Sequence, residues 1–509
     1  MIKDSKILVG KAEEKEIFLY PKMANRHGMI AGATGTGKTV SLKVLAEGFS
    51  SLGVPVFLAD IKGDLASLVR KGEENARATE MGLPALGFEY KAYPVNIWDV
   101  YGENGMPLRT TISEMGPLLL SGIMGLNDTQ SDILNIVFKI ADDEGLLLID
   151  TKDLKSMVQY VGENAKEYSA KYGNIAAVSL NAILRGIVAM ESEGADLFFG
   201  EPALSISDWL TANSEGKGMI QLLDCRKLIL HPKMYSAFLL WLLSELFEVL
   251  PEVGDCEKPK MVFFFDEAHM MFESASKVLL EKLEQVVKLI RSKGVGIYFI
   301  TQNPKDIPDG VLAQLGNKIQ HALHAYTPME QKGAKAAAMA FRENPAFDTY
   351  EVLQELGTGE ALVSVLDESG IPTTVERTKI CPPESFLGSL DDSTRMSVIN
   401  NSLLYAKYAA AVDNDSAYEN LERKKASEEA EEQAEEEKLT LTKQKEKETK
   451  SRKKAVNTAV KNVAKTTGGT IGREIGKTVG KSIGGSFGKT LGGNIGSSIG
   501  RGILGTFFR

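Results

Sequence analysis

The stretch of sequence that decides the fold lies close to the start of the chain and reads Gly32-Ala33-Thr34-Gly35-Thr36-Gly37-Lys38-Thr39. It matches G-x-x-x-x-G-K-[ST], in which the glycines let backbone N–H groups curl around the phosphates of a nucleotide. Lys38 supplies a positive charge for these phosphates, and the Thr39 hydroxyl reaches a Mg²⁺ ion. An apolar stretch precedes the motif and a helix is predicted after it, so that the positive helix N-terminus faces the anion. We therefore predict that all eight residues form a nucleotide-binding P-loop.

Two acidic residues complete the predicted site. The apolar run Met261–Phe265 is typical of a buried strand, and it ends in Asp266-Glu267. An aspartate at the carboxyl end of a strand is placed to hold Mg²⁺, and the adjacent glutamate is placed to activate water as a general base. A kinase that passes phosphate to a bound acceptor has less need of the second acid. The pair therefore favours hydrolysis, with Asp266 as a metal ligand beside Thr39 and with Glu267 as the catalytic base.

Two other predicted strand ends carry candidate residues. Gln302 follows a strand over residues 296–300, where an amide can sense the γ-phosphate or orient the attacking water; a turn that merely ends the strand is the alternative. Asp60 follows a strand over residues 54–59, and we expect it to lie beside the nucleotide unless it simply caps the next helix. Asp60 opens a turn that reads Asp60-Ile61-Lys62-Gly63-Asp64.

Strand-like runs alternate with helical segments along the chain, which predicts an α/β fold with a parallel sheet. Residues 110–215 carry helical spacing and are predicted to be an insertion. Residues 417–450 are rich in Glu and Lys, which indicates a solvated helix or a disordered linker. The predicted organisation is a first part of the ATPase core (1–109), a helical insertion (110–215), a second part of the core (216–380), a helical and charged linker (381–450) and a basic, glycine-periodic tail (451–509).

Charge is distributed unevenly along the chain. The formal net charge is −9, but residues 451–509 contain eleven basic residues and one acidic residue, a net charge of +10, which leaves −19 on the first 450 residues. Nucleic-acid binding depends on Lys and Arg that neutralise phosphates, so the acidic part counts against an outward-facing DNA surface, although a ring can hide a positive pore. The basic tail is the predicted contact for nucleic acid, an anionic membrane surface or a protein partner.

The tail is also a repeat, with glycine at every fourth residue from Gly468 to Gly500. In an α-helix this period drifts by about 40° per repeat, so a straight helix does not keep the glycines on one face. Three alternatives remain open: conditional disorder, membrane association through small-residue packing, and packing within a soluble oligomer.

Other sequence features predict the compartment. Three cysteines occur without a C-x-x-C pair, the first residues contain neither an apolar core nor a cleavage site, and no apolar run is long enough for a bilayer. We therefore expect a cytoplasmic protein, with peripheral membrane attachment through the tail as the alternative. The five histidines are scattered and predict no metal site; His269, beside the acidic pair, either touches the site or packs.

Four motifs together resemble the HerA-like ATPases of the HerA/FtsK group: the P-loop, the turn at residues 60–64, the Asp266-Glu267-Ala268-His269 strand end, and Thr301-Gln302-Asn303-Pro304. Asn25-Arg26-His27-Gly28, Leu126-Asn127-Asp128-Thr129-Gln130 and the long tail are similar to a bacterial branch of that family. The resemblance covers about residues 7–380. It implies a RecA-like core, an ATP hydrolase that uses Mg²⁺, and a homo-oligomeric ring, a hexamer, that acts on DNA as a helicase or translocase.

The resemblance also implies roles for two arginines. Arg26 matches an arginine that works within its own subunit, and Arg291 matches a finger that enters the neighbouring subunit, with Arg377 as the reserve candidate. An ordinary surface salt bridge is the alternative for Arg26 and Arg291. HerA itself carries a β-barrel ahead of its P-loop, whereas 31 residues precede Gly32 here, so we expect the barrel to be absent or reduced to a strand or two.

The residues leave open a second function of a different class. In a nucleotide-gated scaffold or switch, ATP would control how the basic tail docks on a membrane or a protein partner. Stimulation of hydrolysis by DNA distinguishes a motor from such a switch.

Overall fold

The computed structural model describes residues 1–254, 256–273 and 277–463, the last seven of these by their backbone alone. The chain divides into two compact units, Met1–Arg423 and Lys424–Arg509. The glycine repeat, with its three alternatives, lies outside the described residues.

Thirteen strands in the described part of the chain form one sheet. They are β1 (Ile2–Lys3), β2 (Lys6–Ala12), β3 (Lys15–Leu19), β4 (Gly28–Ala31), β5 (Val56–Asp60), β6 (Val95–Asp99), β7 (Met106–Pro107), β8 (Ile220–Asp224), β9 (Met261–Phe265), β10 (Val295–Thr301), β11 (Asn317–Gln320), β12 (Glu360–Ser364) and β13 (Glu376–Ile380). Eight of them run parallel in the order β11-β4-β10-β9-β5-β8-β6-β7. The other five pair antiparallel beyond β11.

The central parallel strands bring the predicted motifs to one edge of the sheet. Every residue of β4, β5, β9 and β10 is buried, which explains why these strands are continuous apolar runs. In the register, Ala31 pairs with Thr301, and Phe265 pairs with both Phe299 and Ala59. The carboxyl ends of β4, β10, β9 and β5 therefore lie side by side, and this is the edge at which open α/β sheets bind ligands.

Along the chain, the described helices lie between or after the strands, and seven of them, α3 to α9, form the insertion. They are α1 (Lys38–Ser51), α2 (Ala76–Glu80), α3 (Ile112–Met124), α4 (Asp128–Glu144), α5 (Thr151–Glu163), α6 (Ala165–Tyr172), α7 (Ala177–Ser192), α8 (Ala195–Phe198), α9 (Ile206–Trp209), α10 (Pro232–Val249), α11 (His269–Glu273), α12 (Lys277–Ile290), α13 (Asp309–Leu312), α14 (Pro328–Met339), α15 (Thr349–Glu355), α16 (Asp392–Asn400), α17 (Tyr405–Tyr408) and α18 (Ala417–Val463).

The segment predicted as an insertion is helical, since it contains α3 to α9. Its first long helices begin at polar residues: the side chains of Thr111, Asn127 and Asp150 each accept a hydrogen bond from the third backbone N–H of α3, α4 and α5. Such caps satisfy amides that the helix itself leaves without a partner. The α/β fold with its helical insertion is thus confirmed, whereas the exact domain boundaries stay a prediction.

Residues ahead of β4, the strand that leads into the P-loop, form three strands, β1 to β3, rather than the expected one or two. β2 pairs with β1, with β3 and with β13, so this segment extends the main sheet. Gly10 permits the contact with β13, because a Cβ atom there would lie 2.2 Å from the Lys379 carbonyl oxygen. Further along the sheet, β12 and β13 pair antiparallel with each other.

The Glu- and Lys-rich segment belongs to α18. Its side chains from Lys424 to Val456 are exposed, which agrees with a solvated helix and not with a disordered linker. Within the described residues, no single helix has both the length and the apolar character to cross a membrane. Only α6 and α7, taken together across a bend of 104°, meet that requirement by length and composition.

Candidate nucleotide-binding and catalytic site

The P-loop lies at the carboxyl end of β4 and leads directly into α1. All three of its glycines have positive φ, 150° at Gly32, 79° at Gly35 and 116° at Gly37. A Cβ atom on Gly32 would also lie 2.5 Å from the Cβ of His321. Glycine is therefore required at position 32. Because α1 begins at Lys38, within the motif, the first backbone N–H groups of the helix belong to the phosphate-binding loop.

Lys38 is buried against the loop that it follows. Its Nζ donates to the carbonyl oxygens of Gly32, at 2.6 Å, and Ala33, at 3.1 Å. Burial lowers the pKa of Lys38, while the charges of Glu267 and Asp266 act in the opposite direction. The ammonium group of the P-loop and the acidic pair after β9 therefore lie within electrostatic range of each other, as the sequence motifs predict.

The other P-loop residues differ in their exposure to solvent. Thr36 is buried, and its Oγ1 donates to the Ala33 carbonyl at 2.7 Å. Thr34 and Gly35 are exposed, whereas Thr39 is half-buried. The exposed tip and the half-buried threonine leave polar groups of the loop accessible to a ligand.

His321 supports the P-loop and was missed by sequence reasoning. Its Nδ1 donates to the Glu360 carbonyl at 2.9 Å, and its Nε2 accepts from Ser41 Oγ, on α1, at 2.8 Å. Burial lowers the pKa of His321 to about 4, so the imidazole is neutral, as one donating and one accepting nitrogen require. The sequence held only a weak signal for this role, namely a histidine directly after the short strand β11, which contains a single apolar residue, Ile319.

Asp266 and Glu267 are almost inaccessible to solvent, with 6% and 9% of their surface exposed. Burial raises the pKa of Asp266 to about 6, against the opposing charge of Lys62. Burial acts on Glu267 as well, but the hydrogen bonds from Lys62 and Gln302 outweigh it and hold the pKa of Glu267 below its usual value. Glu267 is therefore ionised, as a general base must be.

The carboxylate of Glu267 has partners on both oxygens. Lys62 Nζ lies 2.9 Å from Oε1, and Gln302 Nε2 donates to Oε2 at 3.3 Å. His269 Nδ1 lies 3.5 Å from Oε2, so this histidine touches the site. Glu267 itself has φ of 45°, a left-handed conformation that is uncommon for a non-glycine residue and clusters at functional sites. Sequence reasoning did not single out Lys62, although it lies in the turn after β5.

Asp60 holds this turn. It is 1% exposed, and its Oδ1 accepts a hydrogen bond from the Gly63 N–H at 2.7 Å. Burial, with the charge of Asp64 adding to it, raises the pKa of Asp60 to about 7. These contacts connect Asp60 to the turn that carries Lys62. Its direct contact with a nucleotide stays a prediction.

Arg26 and Arg291 lie near each other, at the amino end of the strands. Arg26 precedes β4 and Arg291 precedes β10, and the charges of both act on the buried His27. Asn25 Nδ2 also donates to the Arg291 carbonyl at 3.4 Å. The P-loop follows the far end of β4, about 13 Å away for a four-residue strand. The structure thus does not bring Arg26 to the P-loop of its own chain, and the roles of both arginines stay predictions.

A groove of about 1090 Å³ borders residues 357–360, a segment that is hydrogen-bonded to the P-loop. In that segment the Gly359 N–H donates to the Thr36 carbonyl at 2.8 Å, and Arg77 Nη2 donates to the Gly359 carbonyl at 2.6 Å. Arg377, the reserve arginine, lines the same groove and pairs with Glu360 at 2.8 Å. The groove lies beside the support of the P-loop, but none of the residues that line it belongs to the P-loop itself.

Comparison with known proteins identifies relatives over much of the chain. The family model described as "Helicase HerA-like C-terminal" matches residues 5–509. The protein named "Probable helicase MJECL08" from Methanocaldococcus jannaschii is 33% identical over 116 residues, which cover 22% of this chain and 20% of that protein. The "DNA double-strand break repair helicase HerA" of Sulfurisphaera tokodaii is 21% identical over 368 residues, which cover 70% of this chain and 66% of that protein. The chain thus spans less than two thirds of the length of either relative.

Solved structures show the same fold. The unbound bacterial conjugative coupling protein TrwBdeltaN70 has a TM-score of 0.50 and 13% identity, over 74% of this chain and 89% of that one. The plasmid coupling protein TrwB in complex with the ATP analogue ADPNP has a TM-score of 0.51 and 14% identity, over 77% and 92%. The shared architecture is a RecA-like α/β core. Together with the P-loop and the extent of the family match, it shows that the chain belongs to the Helicase HerA-like C-terminal family of P-loop ATPases.

Proposed function

We propose that the protein binds ATP at the P-loop and hydrolyses it with Glu267 as the general base. The observation that carries this proposal is the ionised, nearly buried carboxylate of Glu267, which lies within electrostatic range of Lys38 and contacts Gln302. A site that only bound nucleotide would need the P-loop but not a second, oriented carboxylate. The TrwB structure with ADPNP supports ATP as the ligand class for this fold.

The donor atoms of the site suit Mg²⁺. The Thr39 hydroxyl and the Asp266 carboxylate are hard oxygen ligands, the type that Mg²⁺ takes alongside phosphate oxygens. Asp266 is nearly buried next to another carboxylate, so a cation at this position relieves the repulsion between the two acids. Mg²⁺ would supply positive charge to the β- and γ-phosphate oxygens. Thr39 and Asp266 would hold it.

The remaining residues act on phosphate and water. The P-loop amides and the Lys38 ammonium bind the phosphates, and Lys38 must turn from the Gly32 carbonyl to do so. A water molecule attacks the γ-phosphorus, its proton passes to Glu267, and the bond from phosphorus to the oxygen of the β-phosphate breaks to release ADP. Gln302, bonded to Glu267 Oε2, is placed to orient this water.

We further propose a homo-oligomeric ring, a hexamer, that moves along DNA as a helicase or translocase. The support is the family and the similar proteins, which include a DNA double-strand break repair helicase and a conjugative coupling protein. Arg291 then completes the site of the neighbouring subunit. Arg26 lies at the same end of the strands as Arg291, which favours a place at the subunit interface for both and disfavours the within-subunit role of Arg26.

The test of the motor is DNA-stimulated hydrolysis. ATP turnover is measured with and without double-stranded DNA at several salt concentrations, for the full chain and for a variant without residues 451–509. Stimulation that survives removal of the tail and weakens with salt supports the motor. Binding to anionic vesicles that depends on the tail, with no effect of DNA on turnover, would instead support the nucleotide-gated switch.

A further inference from the structure

Lys62 is the residue of the site to which no motif assigns a role. It lies in the turn after β5, and β5 is the sheet neighbour of β9, so the turn and the acidic pair emerge side by side. The Lys62 ammonium is 2.9 Å from Glu267 Oε1 and 3.9 Å from Asp266 Oδ2. About 42% of its side chain is exposed, so it reaches the carboxylates from the open side of the site.

The turn that carries Lys62 is held in a fixed shape. Gly63 has φ of 82°, which favours glycine, and its N–H bonds to the buried Asp60 carboxylate. A Cβ atom on Gly63 would lie 3.1 Å from the side chain of Arg226, which itself pairs with the buried Asp224 at 2.6 Å. The backbone of the turn is therefore held by the buried Asp60 carboxylate and lies close to the Arg226 side chain, and from this turn the Lys62 ammonium reaches Glu267.

The two oxygens of Glu267 have different surroundings. Oε1 faces the ammonium of Lys62, whereas Oε2 faces the amide of Gln302, the side chain placed to orient water. Lys38, the other lysine of the site, is bonded to the P-loop carbonyls instead. An ion pair on one oxygen and an amide on the other fix the rotation of the carboxylate, which decides which lone pair meets the water.

We propose that Lys62 is a positioning residue for hydrolysis: it clamps Glu267 Oε1 so that Oε2, beside Gln302, accepts the proton of the attacking water. This role rests on the proposed function, since it presumes that Glu267 is the base. Lys62 acts through Glu267 and not on the phosphates. Its loss should therefore slow the chemical step without weakening nucleotide binding, because a base displaced by about 1 Å can cost up to about 100-fold in rate.

The experiment compares Lys62→Met, which keeps the length and removes the charge, with Lys62→Arg, which keeps the charge. Lys139→Met is the matched control, because Lys139 forms an exposed ion pair with Asp143 on α4, within the helical insertion. For each full-length variant, kcat and KM for ATP, the Kd for ADPNP and the melting temperature are measured. Lys62→Gln is the second neutral variant should Lys62→Met not fold.

The expected result is a kcat lowered about 10- to 100-fold in Lys62→Met, with KM and the Kd for ADPNP changed less than about threefold. Lys62→Arg should recover most of the rate, and Lys139→Met should equal the wild type. In single-turnover measurements, Lys62→Met should add nothing to the loss caused by Glu267→Gln, because residues that act as a unit are not additive.

Three results would overturn the role of Lys62: a kcat for Lys62→Met at or above that of the wild type, a loss of ADPNP affinity as large as the loss of rate, or additive losses in the double variant. A failure of the proposed function looks different. In that case the wild type does not hydrolyse ATP, or Glu267→Gln retains full turnover whatever stands at position 62.

Discussion

The imidazole of His321 accepts a hydrogen bond from Ser41 Oγ at 2.8 Å, which joins β11 to the first turn of the helix after the P-loop. The opposite nitrogen of the same ring donates to the Glu360 carbonyl at the start of β12. One neutral side chain thus connects the phosphate loop to the antiparallel part of the sheet. The shape of the P-loop therefore depends on the pairing of β11 with β12, strands that lie about 280 residues or more after it in the sequence.

The first prediction concerns the protonation of His321. Burial holds its pKa at about 4 in the native state, against about 6.5 in the unfolded chain. The unfolded state therefore binds more protons between these values, and the native state loses stability as the pH falls from 6.5 to 4. Relative to His321→Asn, which cannot titrate, the wild type should lose up to about 3 kcal/mol over this interval.

The measurement is urea unfolding of both proteins from pH 7 to pH 4. Using the difference between them removes the opposing contribution of buried acids such as Asp60, whose pKa is raised. A difference in the free energy of unfolding that does not vary with pH would contradict the neutral, hydrogen-bonded state of His321.

The second prediction concerns the glycines of the P-loop. Gly32 and Gly35 both have positive φ, at 150° and 79°, but only Gly32 meets another residue, since a Cβ atom there would lie 2.5 Å from the Cβ of His321. Gly32→Ala should therefore cost about 3 kcal/mol or more, and Gly35→Ala about 1 kcal/mol from backbone strain alone. Chemical denaturation measures both, and equal losses would contradict this account of the loop.

The third prediction tests Arg291 as a finger into the neighbouring subunit. Arg291→Ala and Glu267→Gln should each lower turnover. For Arg291→Ala the expected loss is about 10³-fold or more, the contribution of an arginine finger. Subunits of the two variants mixed in one ring should regain activity, because Arg291 of a Glu267→Gln subunit completes a site that still has Glu267. Mixing Arg291→Ala with the Arg291→Ala/Glu267→Gln double variant is the control and should stay inactive. Absence of recovery in the first mixture would show that Arg291 does not act between subunits.

The site residues that could be predicted from the sequence share one property, their position directly after a strand. The P-loop, Asp266, Glu267 and Gln302 each follow an apolar strand, and carboxyl ends of parallel strands meet at one edge. The same rule, applied to Arg26, would have placed it at the opposite end, since it precedes its strand.

His321 and Lys62 required the three-dimensional structure. The role of His321 depends on the pairing of β11 with β4, and that of Lys62 on the pairing of β5 with β9. The packing of the whole sheet decides which strands become neighbours, and the sequence of a single strand does not reveal this order. The fold class follows from local patterns, but the support of the site does not.

The central claim is that Glu267 activates water for ATP hydrolysis, and its most direct test is Glu267→Gln. Glutamine keeps the shape and a hydrogen-bonding oxygen but cannot accept the proton. The account predicts that the Kd for ATP changes less than about threefold while turnover falls by at least about 100-fold, the lower range for the loss of a general base. Turnover equal to that of the wild type, with ATP still bound, would contradict it.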